Sequence, residues 1–302
     1  MFAPRILAGR SLVVTGGGSG LGLAMAKCFA GYGARVTIAG RRRERLEAAA
    51  PEIEAAARAG ADAGQSAGAE AGHRDPGAVA ICPTDVRDAA QAEALIQFAA
   101  ERFGRVDGLV NNAAGNFLAF SEELTPNGFD AVVRTVLYGS VNCTLAFGRH
   151  LLGRGAPGSV VSIVTTYAWT GSAYVLPSAC AKAGVLAMTR SLAAEWGPAN
   201  IRLNAIAPGP IPTEGAFSRL FATEEARKHS LERIPLARFG RTEEIANLAT
   251  FLLSDLCPYQ TGDCVTMDGG EWIAGAGEFS DYRRLPRERL KAAFDAMRPK
   301  KG

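Results

Sequence analysis

The chain has 302 residues, of which 48% are hydrophobic, and a chain of this size can bury the core of one large domain. Its formal net charge is +3 and 21% of its residues are charged, a balance that does not favour a nucleic-acid-binding protein. Residues 1–10 lack the apolar region of a signal peptide, and no apolar run approaches the roughly 18 residues of a membrane span, so we expect a cytoplasmic protein outside the membrane.

Short runs rich in β-branched residues alternate with Ala-rich helical stretches, which is typical of βα units on a parallel sheet. The sequence predicts seven strands, at 11–15, 35–39, 79–83, 108–111, 159–164, 201–206 and 263–267. Helical spacing lies between them at 21–32, 89–103, 128–152, 178–196 and 242–253. We therefore predict an α/β fold, with one domain over residues 1–302 and a doubly wound, seven-stranded parallel sheet of the Rossmann type. Helices cover both faces, and ligands are expected at the carboxyl ends of the strands.

Two segments depart from this alternation. Residues 59–72 contain ten Ala or Gly among fourteen, and the recurrent Gly favours a mobile insertion over a continued helix. Residues 271–302 form a C-terminal extension, in which positions 283–301 hold eight basic and two acidic side chains, a net charge of +6. The simplest interpretation of this charge is a solvated basic tail, and the alternative is contact with an anionic ligand or a partner subunit.

A glycine cluster, Thr15-Gly-Gly-Gly-Ser-Gly-Leu-Gly22, follows the first predicted strand and opens the first helix. Glycine lets the backbone turn sharply and approach a pyrophosphate, and the helix N-terminus offers free N–H groups and the positive end of a dipole. A glycine-rich turn can also be a plain connector, but its place in the first βα unit favours a dinucleotide site. We assign the cofactor contacts to Gly16, Gly18, Ser19, Gly20, Leu21 and Gly22.

The choice of cofactor follows from the end of the second strand. An NAD-dependent enzyme usually has an acidic residue there, whereas this chain has Gly40-Arg41-Arg42-Arg43. A guanidinium binds a 2′-phosphate through charge-assisted hydrogen bonds, so the sequence predicts NADPH (NADP+), with Arg41 as the contact. At least one of Arg42 and Arg43 is interpreted as the solvated start of a helix.

The six cysteines contain no CxxC pair, and several lie in apolar runs. This pattern favours buried free thiols in a reducing compartment. The three histidines lack metal-ligand spacing, so we expect no metal site.

Further motifs lie at 85–86 (DV), 111–115 (NNAAG), Lys182, 208–211 (PGPI) and 268–270 (DGG). With the glycine cluster, they resemble the short-chain dehydrogenase/reductase family from Gly9 to about Gly270. The resemblance implies a homotetramer with interfaces at the helices 128–152 and 178–196. It also implies cofactor contacts from Asp85 and Val86 near the adenine, Asn112 and Ala113 along the pocket, Lys182 at the nicotinamide ribose, and Pro208, Gly209, Ile211 and Thr213 near the nicotinamide.

Two positions depart from the common family pattern. Ser178 lies one helical turn before Lys182, where most members have a catalytic tyrosine, and Val136 replaces an asparagine of the fourth helix. The stretches 111–117, 165–167, 209–220 and 277–281 instead resemble one branch of the family, the NADPH-dependent 2,4-dienoyl-CoA reductases of the mitochondrial type.

This branch implies reduction of a 2,4-dienoyl-CoA to a trans-3-enoyl-CoA in the β-oxidation of unsaturated fatty acids. Such a substrate accepts hydride at C5, so negative charge develops on the remote thioester oxygen and hydrogen-bond donors must be aimed there. The resemblance gives this catalytic role to Tyr167 and Asn116, and it places Lys182 beside the cofactor. Ser178 shares a helix face with Lys182 and is small enough to leave room for the acyl substrate.

The same resemblance implies acyl-CoA contacts from Arg87, Phe117 and Arg219, and an apolar lid at 216–221. Each assignment has a simpler alternative: Tyr167 as a packing aromatic, Asn116 as a turn former, Ser178 as a helix-start residue, and Arg87 or Arg219 as surface residues. Two other functions stay open. One is reduction of another acyl thioester, a 2-enoyl-CoA or a 3-oxoacyl carrier, although a 3-oxo substrate would lack its proton donor at position 178. The other is a catalytically silent NADPH-binding protein.

Overall fold

The structure is a computed structural model of the chain, and it describes residues 2–66, 79–213 and 223–298. The strands are β1 (Ser11–Thr15), β2 (Arg35–Gly40), β3 (Val79–Pro83), β4 (Gly108–Asn111), β5 (Gly158–Ile163), β6 (Ile201–Pro208) and β7 (Cys264–Met267). All pair in parallel, in the order β3-β2-β1-β4-β5-β6-β7. The predicted seven-stranded Rossmann-type sheet is confirmed.

The helices up to the sixth strand are α1 (Gly20–Gly31), α2 (Arg43–Ser66), α3 (Ala89–Phe103), α4 (Pro126–Val133), α5 (Gly139–Leu152), α6 (Tyr167–Thr170) and α7 (Leu176–Trp196). Beyond it lie helices at Glu224–Arg233, Thr242–Leu253, Glu271–Ala276 and Arg287–Met297. Within the described ranges, no helix combines the length and the apolar character needed to cross a membrane.

Helices cover both faces of the sheet, and successive strand residues point to opposite faces, so both sets are buried. In β1, Leu12 and Val14 belong to a core cluster with Phe29 of α1, whereas Val13 belongs to a second cluster with Phe147 of α5. This explains why the strands read as continuous apolar runs in the sequence. The crevice for a ligand opens where the strand order reverses, between β1 and β4.

The helix predicted at 128–152 is divided into α4, a π-helical turn at Arg134–Tyr138, and α5. Val136, which replaces the family's asparagine, is fully buried within this turn. Its carbonyl accepts a hydrogen bond of 2.6 Å from the Ser140 hydroxyl. Single π turns inside α-helices are frequent at functional sites, and Thr135 of this turn lines a pocket that also contains Gly16 and Arg41.

The predicted mobile insertion at 59–72 is wrong for residues 59–66, which continue α2. Alanine favours helix strongly enough to carry the intervening glycines. Gly60 also has a packing role, because a Cβ there would lie 1.8 Å from the carbonyl oxygen of Gly31 in α1. Residues 67–72 lie outside the described ranges.

The C-terminal extension is largely solvent-exposed where the structure describes it. Some of its basic side chains pair locally, as Lys291 does with Glu288 at 3.2 Å and Arg298 with Asp295 at 3.2 Å. Lys300 and Lys301 lie outside the described ranges. These pairs agree with the interpretation of a solvated basic segment.

Candidate active site

The glycine turn lies at the carboxyl end of β1 and is tied to the neighbouring strand. The backbone N–H groups of Gly16 and Gly17 donate to the Ala39 carbonyl at 2.7 and 3.3 Å. Gly16 has a φ of +67°, in the left-handed region that favours glycine. A Cβ at Gly22 would lie 2.2 Å from the Gly16 oxygen, so this turn needs glycine at both positions. Helix α1 therefore begins close against the strand, as a phosphate cradle requires.

The residue before α1 leaves donors free for an anion. Ser19 is the N-cap of α1, and its side chain makes no capping hydrogen bond in the part of the chain that the structure describes. The first turn of the helix also holds no acidic side chain. The N–H groups of this turn can therefore bind pyrophosphate oxygens, and the residues here fit a dinucleotide cofactor.

A pocket beside this turn is lined by three arginines: Arg41, Arg42 and Arg45. Gly16, Gly18, Ser19, Asp85, Val86 and Ala113 complete much of its wall. Arg43 is not among its described lining residues and instead approaches Glu47 at 3.6 Å. The pocket thus offers a cluster of guanidinium groups where a 2′-phosphate would lie. Arg45, which lies in the first turn of α2, was missed by the sequence analysis.

Asp85 and Arg87 bind each other at the edge of this pocket. The Arg87 Nε lies 2.9 Å from both carboxylate oxygens of Asp85. Hydrogen bonding from Arg87 lowers the pKa of the Asp85 carboxyl below its ordinary value, and the charge of Arg41 adds to the effect. Arg87 is therefore already engaged with Asp85 at the edge of the pocket, and its predicted contact with an acyl-CoA stays a prediction.

The next pocket residues are held by Thr15. Its hydroxyl donates to the Val110 carbonyl at 3.1 Å and accepts from the N–H groups of Asn112 and Ala113 at 3.0 and 3.1 Å. The Asn112 amide in turn donates to the Thr15 carbonyl at 3.0 Å. These bonds join the ends of β1 and β4, so the glycine turn and the NNAAG segment form one wall.

The segment after β6 closes the far side of the crevice. Gly209 donates its N–H to the Met267 carbonyl at 3.0 Å, and a Cβ at Gly209 would lie 2.7 Å from the Asp268 Cα. Pro210 accepts from the Gly240 N–H at 3.1 Å, and Ile211 packs beside Gly240. Thr213 lies next to Gly20 of the glycine turn. The predicted nicotinamide segment, from Pro208 to Thr213, therefore faces the start of α1.

Three polar side chains meet at the carboxyl ends of β4 and β5. The Tyr167 hydroxyl lies 3.0 Å from the Ser178 hydroxyl and 3.5 Å from the amide nitrogen of Asn116. The Asn116 oxygen accepts from the Phe117 N–H at 2.9 Å, so the amide nitrogen is turned towards Tyr167. Ser178 is buried, whereas Tyr167 and Asn116 are half-buried. The predicted catalytic residues are thus brought together around the tyrosine hydroxyl.

Lys182 lies one turn beyond Ser178 in α7, and its ammonium donates to the Ile163 carbonyl at the end of β5. The side chain is 8% exposed, and desolvation by burial lowers its pKa from 10.5 to about 8. The Lys182 ammonium therefore places positive charge at the carboxyl end of β5, one helical turn from Ser178.

Phe117 follows Asn116 and is 39% exposed, with its ring beside Gly128. Arg219 and the proposed lid at 216–221 lie outside the described ranges. Among the residues that are described, no group of three or more His, Cys, Asp and Glu side chains could hold a metal ion.

The segment after Asn116 and the segment before α7 are joined by an aromatic contact that the sequence does not predict. The Phe120 and Tyr174 rings pack edge to face with centroids 5.4 Å apart, and the Ala119 N–H donates to the Tyr174 carbonyl at 3.0 Å. Tyr174 has a φ of +66°, which is uncommon for a residue with a side chain. Phe120 and Tyr174 are distant in the sequence, so neither local segment predicts that their rings would pair.

Comparisons with known proteins identify the family. A family model described as enoyl-(acyl carrier protein) reductase matches residues 16–271. A probable 2,4-dienoyl-CoA reductase from Bacillus subtilis, described as (2E)-enoyl-CoA-producing, is 44% identical over 87% of this chain and 97% of its own. A peroxisomal 2,4-dienoyl-CoA reductase from Arabidopsis thaliana, described as (3E)-enoyl-CoA-producing, is 36% identical over 98% of this chain and 93% of its own.

Solved structures agree with this family. A putative 2-deoxy-D-gluconate 3-dehydrogenase from Agrobacterium tumefaciens, with bound NADP, superimposes with a TM-score of 0.75 at 33% identity, covering 90% of this chain and 100% of its own. The chain belongs to the short-chain dehydrogenase/reductase family. It is an oxidoreductase with a fold that binds a nicotinamide cofactor. The resemblance drawn from its motifs is confirmed.

Proposed function

We propose that this protein is an NADPH-dependent 2,4-dienoyl-CoA reductase that forms a trans-3-enoyl-CoA in the oxidation of unsaturated fatty acids. One observation carries the proposal: the Tyr167 hydroxyl lies between the Asn116 amide and the Ser178 hydroxyl, at 3.5 and 3.0 Å. The two relatives described as 2,4-dienoyl-CoA reductases support the substrate class. We further propose a homotetramer in the cytoplasm.

The cofactor proposal is supported by the pocket lined by Arg41, Arg42 and Arg45. These guanidinium groups fit a 2′-phosphate, and the N-terminus of α1 fits the pyrophosphate. NADPH, when bound, supplies the hydride that is accepted at C5 of the substrate. Lys182 would hold the nicotinamide ribose, and its positive charge would favour an anionic intermediate nearby.

The protein's own contribution is to stabilise the dienolate. Hydride addition at C5 would leave negative charge delocalised over C4, C2 and the thioester oxygen, and the Tyr167 O–H and Asn116 N–H would donate to that oxygen. Neither donor is charged in its ordinary state, so placing them beside an acyl chain costs less than placing a charged group there. Removal of one such donor typically lowers the rate by about 10²–10³.

Ser178 has a specific task in this arrangement. The phenol of Tyr167 has a single proton, and a hydrogen bond to Ser178 would occupy it if Tyr167 were the donor. If the Ser178 hydroxyl donates to the Tyr167 oxygen instead, the phenol proton stays free for the substrate. Ser178 then orients the catalytic donor in addition to making room for the acyl chain. Phe117, Arg87 and Arg219 remain proposed substrate contacts.

The position of protonation decides the product. A dienolate protonated at C2 gives a 3-enoyl-CoA, and one protonated at C4 gives a 2-enoyl-CoA. The second outcome is a real candidate because the Bacillus subtilis relative is described as (2E)-enoyl-CoA-producing. We expect protonation at C2 by water, since the proposed donors surround the thioester oxygen. Turnover in D₂O followed by NMR of the product would place deuterium at C2 for our proposal and at C4 for the alternative.

The activity itself is tested with purified protein, NADPH and three thioesters: hexa-2,4-dienoyl-CoA, crotonyl-CoA and acetoacetyl-CoA. We expect oxidation of NADPH with the dienoyl substrate. Turnover confined to crotonyl-CoA or acetoacetyl-CoA would assign the protein to the other acyl-thioester reductases. Binding of NADPH without turnover of any of the three would support a silent cofactor-binding protein.

A further inference from the structure

Tyr167 lies in a helix that is too short to be stable by itself. Helix α6 comprises only Tyr167–Thr170, and a single turn is intrinsically unstable because nucleation fixes several residues for very few hydrogen bonds. Its N-cap, Thr166, makes no side-chain capping bond to the described residues, and Gly171 ends the turn with a φ of +71°. Ala168 is its buried residue. The orientation of Tyr167 must therefore depend on contacts from outside the helix.

One such contact lies on the side opposite the tyrosine hydroxyl. Residues two positions apart on an α-helix point about 200° apart, so the Trp169 ring and the Tyr167 phenol lie on opposite sides of α6. The phenol faces Ser178 and Asn116. The Trp169 ring packs edge to face on Trp272, with centroids 5.8 Å apart and planes at 85°. Such aromatic pairs contribute beyond the area they bury.

Trp272 is itself firmly attached to the sheet. Its backbone N–H donates to Asp268 at 2.7 Å, and the Gly270 N–H donates to the other oxygen of the same carboxylate at 2.9 Å. Asp268 directly follows β7 and packs on Gly209, at the predicted nicotinamide segment. A continuous set of contacts therefore runs from the cofactor side of the crevice, through Trp272 and Trp169, to the helix of Tyr167.

We infer that Trp272 is a positioning residue that, through Trp169, holds the Tyr167 hydroxyl at the reacting end of the site. This inference rests on the proposed function for its kinetic effect. It gives the first turn of the C-terminal extension a role in catalysis, although Trp272 lies 105 positions from Tyr167 in the sequence. Trp169 is 39% exposed, so the pair lies at the rim of the site and its loss leaves the main core intact.

The test compares Trp272→Ala with Trp272→Phe, using NADPH and hexa-2,4-dienoyl-CoA. We expect Trp272→Ala to lower kcat about tenfold or more, with KM for the thioester and the Kd for NADPH changed less than about twofold. The phenylalanine ring keeps an edge-to-face contact, so Trp272→Phe should recover most of kcat. Tyr259→Ala is the control, because this aromatic ring is fully exposed. Equal losses in both Trp272 variants, or a change in KM alone, would overturn the inference.

A second readout needs no substrate and separates this inference from the proposed function. Hydrogen exchange followed by mass spectrometry reports the amides of α6, including the Gly171 N–H that donates to the Tyr167 carbonyl at 3.0 Å. Trp272→Ala should speed exchange in a peptide covering 165–171 and leave a peptide covering β5 unchanged. Unchanged exchange at 165–171 would refute the inference, even in a protein that reduces dienoyl-CoA. Faster exchange there in a protein inactive on dienoyl-CoA would support the positioning role of Trp272 and reject the proposed function.

Discussion

Ser178 stands where most members of the family have a catalytic tyrosine, and the structure shows which tyrosine its hydroxyl contacts. By family pattern it replaces a catalytic tyrosine, and its sequence position alone allows a helix-start residue without a role. In the structure it lies 3.0 Å from the hydroxyl of Tyr167, eleven positions earlier in the chain. The tyrosine hydroxyl is therefore present at the site, but it is presented from the end of β5 and not from α7.

The proposed contact of Arg41 with the 2′-phosphate can be tested separately from its neighbouring arginines. Arg41→Ala should weaken binding of NADPH about tenfold or more, because a charge-assisted hydrogen bond to the 2′-phosphate is lost. Binding of NADH should change far less, since NADH lacks that phosphate. Isothermal titration with both cofactors measures the difference.

Arg43→Ala is the matched control for this experiment. Arg43 belongs to the same arginine run but approaches Glu47 at 3.6 Å and is not among the described residues of the pocket wall. If Arg41→Ala weakened the binding of NADPH and NADH equally, Arg41 would not contact the 2′-phosphate.

The buried ammonium of Lys182 predicts a pH dependence of stability. Desolvation lowers its pKa from 10.5 to about 8, so between these values the unfolded chain holds a proton that the folded chain has released. The penalty for burying the charge is complete below the folded pKa and is relieved as pH rises above it. The free energy of unfolding of the wild type should therefore rise, relative to Lys182→Met, as pH increases from about 8 to about 10.

Urea unfolding of both proteins without cofactor, across this pH range, measures the difference between them. The comparison cancels the titration of all other groups that the two proteins share. A difference that stays constant between about pH 8 and about pH 10 would show that the Lys182 ammonium is not desolvated in the fold.

At the scale of elements, the turn between β1 and α1 is the most constrained part of the site. A methyl group at Gly22 would meet the Gly16 carbonyl oxygen at 2.2 Å, and a backbone oxygen has little freedom to move. Gly22→Ala should therefore lower the free energy of unfolding by about 1–3 kcal/mol and weaken NADPH binding, because the phosphate cradle must open.

Chemical unfolding and cofactor titration of Gly22→Ala measure both effects. Gly197→Ala is the control, because its φ is −52° and no described atom lies within 4 Å of the added Cβ. If Gly22→Ala behaved like Gly197→Ala, the close approach of α1 to the strand would not be needed for cofactor binding.

The elements show where sequence reasoning was sufficient. The seven strands were predicted within a few residues because each is an apolar run bounded by polar or glycine residues, and parallel strands are buried on both faces. The continuation of α2 through Gly60 was missed, since Gly60 was interpreted as a helix breaker and its packing against Gly31 lies in another helix. Helix α6 was missed because a single turn has no periodicity to detect.

The site residues also divide into those with a local sequence signal and those defined by contacts between distant segments. Gly16 and Arg41 were predicted from motifs with a fixed place in a βα unit, and Lys182 was predicted from the family resemblance. The contact of Trp169 with Trp272 joins residues in distant segments, and nothing in either local sequence indicates a partner. The pairing of Arg87 with Asp85, two positions apart in a loop, also depends on the rotamers of both side chains, which spacing alone does not determine.

At the scale of the whole molecule, the proposed tetramer would use the outer faces of α5 and α7. The described surface of α7 carries small side chains at heptad spacing, with Cys180, Ala187 and Ala194 all exposed. Small residues allow two helices to approach closely, and Tyr138, at the junction with α5, is 53% exposed.

Sedimentation velocity should therefore find a tetramer for the wild type and smaller species for Ala187→Arg, since the long charged side chain would separate the two helices. Ala55→Arg, on an exposed position of α2, provides the matched control and should leave the assembly unchanged. A wild-type monomer, or a tetramer that tolerates Ala187→Arg, would contradict this placement of the interface.

The central claim is that the Tyr167 hydroxyl, oriented by Ser178 and joined by Asn116, stabilises the anion formed from a dienoyl thioester. The most direct measurement is kcat of Tyr167→Phe with NADPH and hexa-2,4-dienoyl-CoA, together with the Kd for NADPH. We predict a loss of about 10²–10³ in kcat, a milder loss for Ser178→Ala, and an unchanged Kd. Equal and small effects of the two substitutions on kcat would contradict the account, because the hydroxyl would then carry no part of the developing charge.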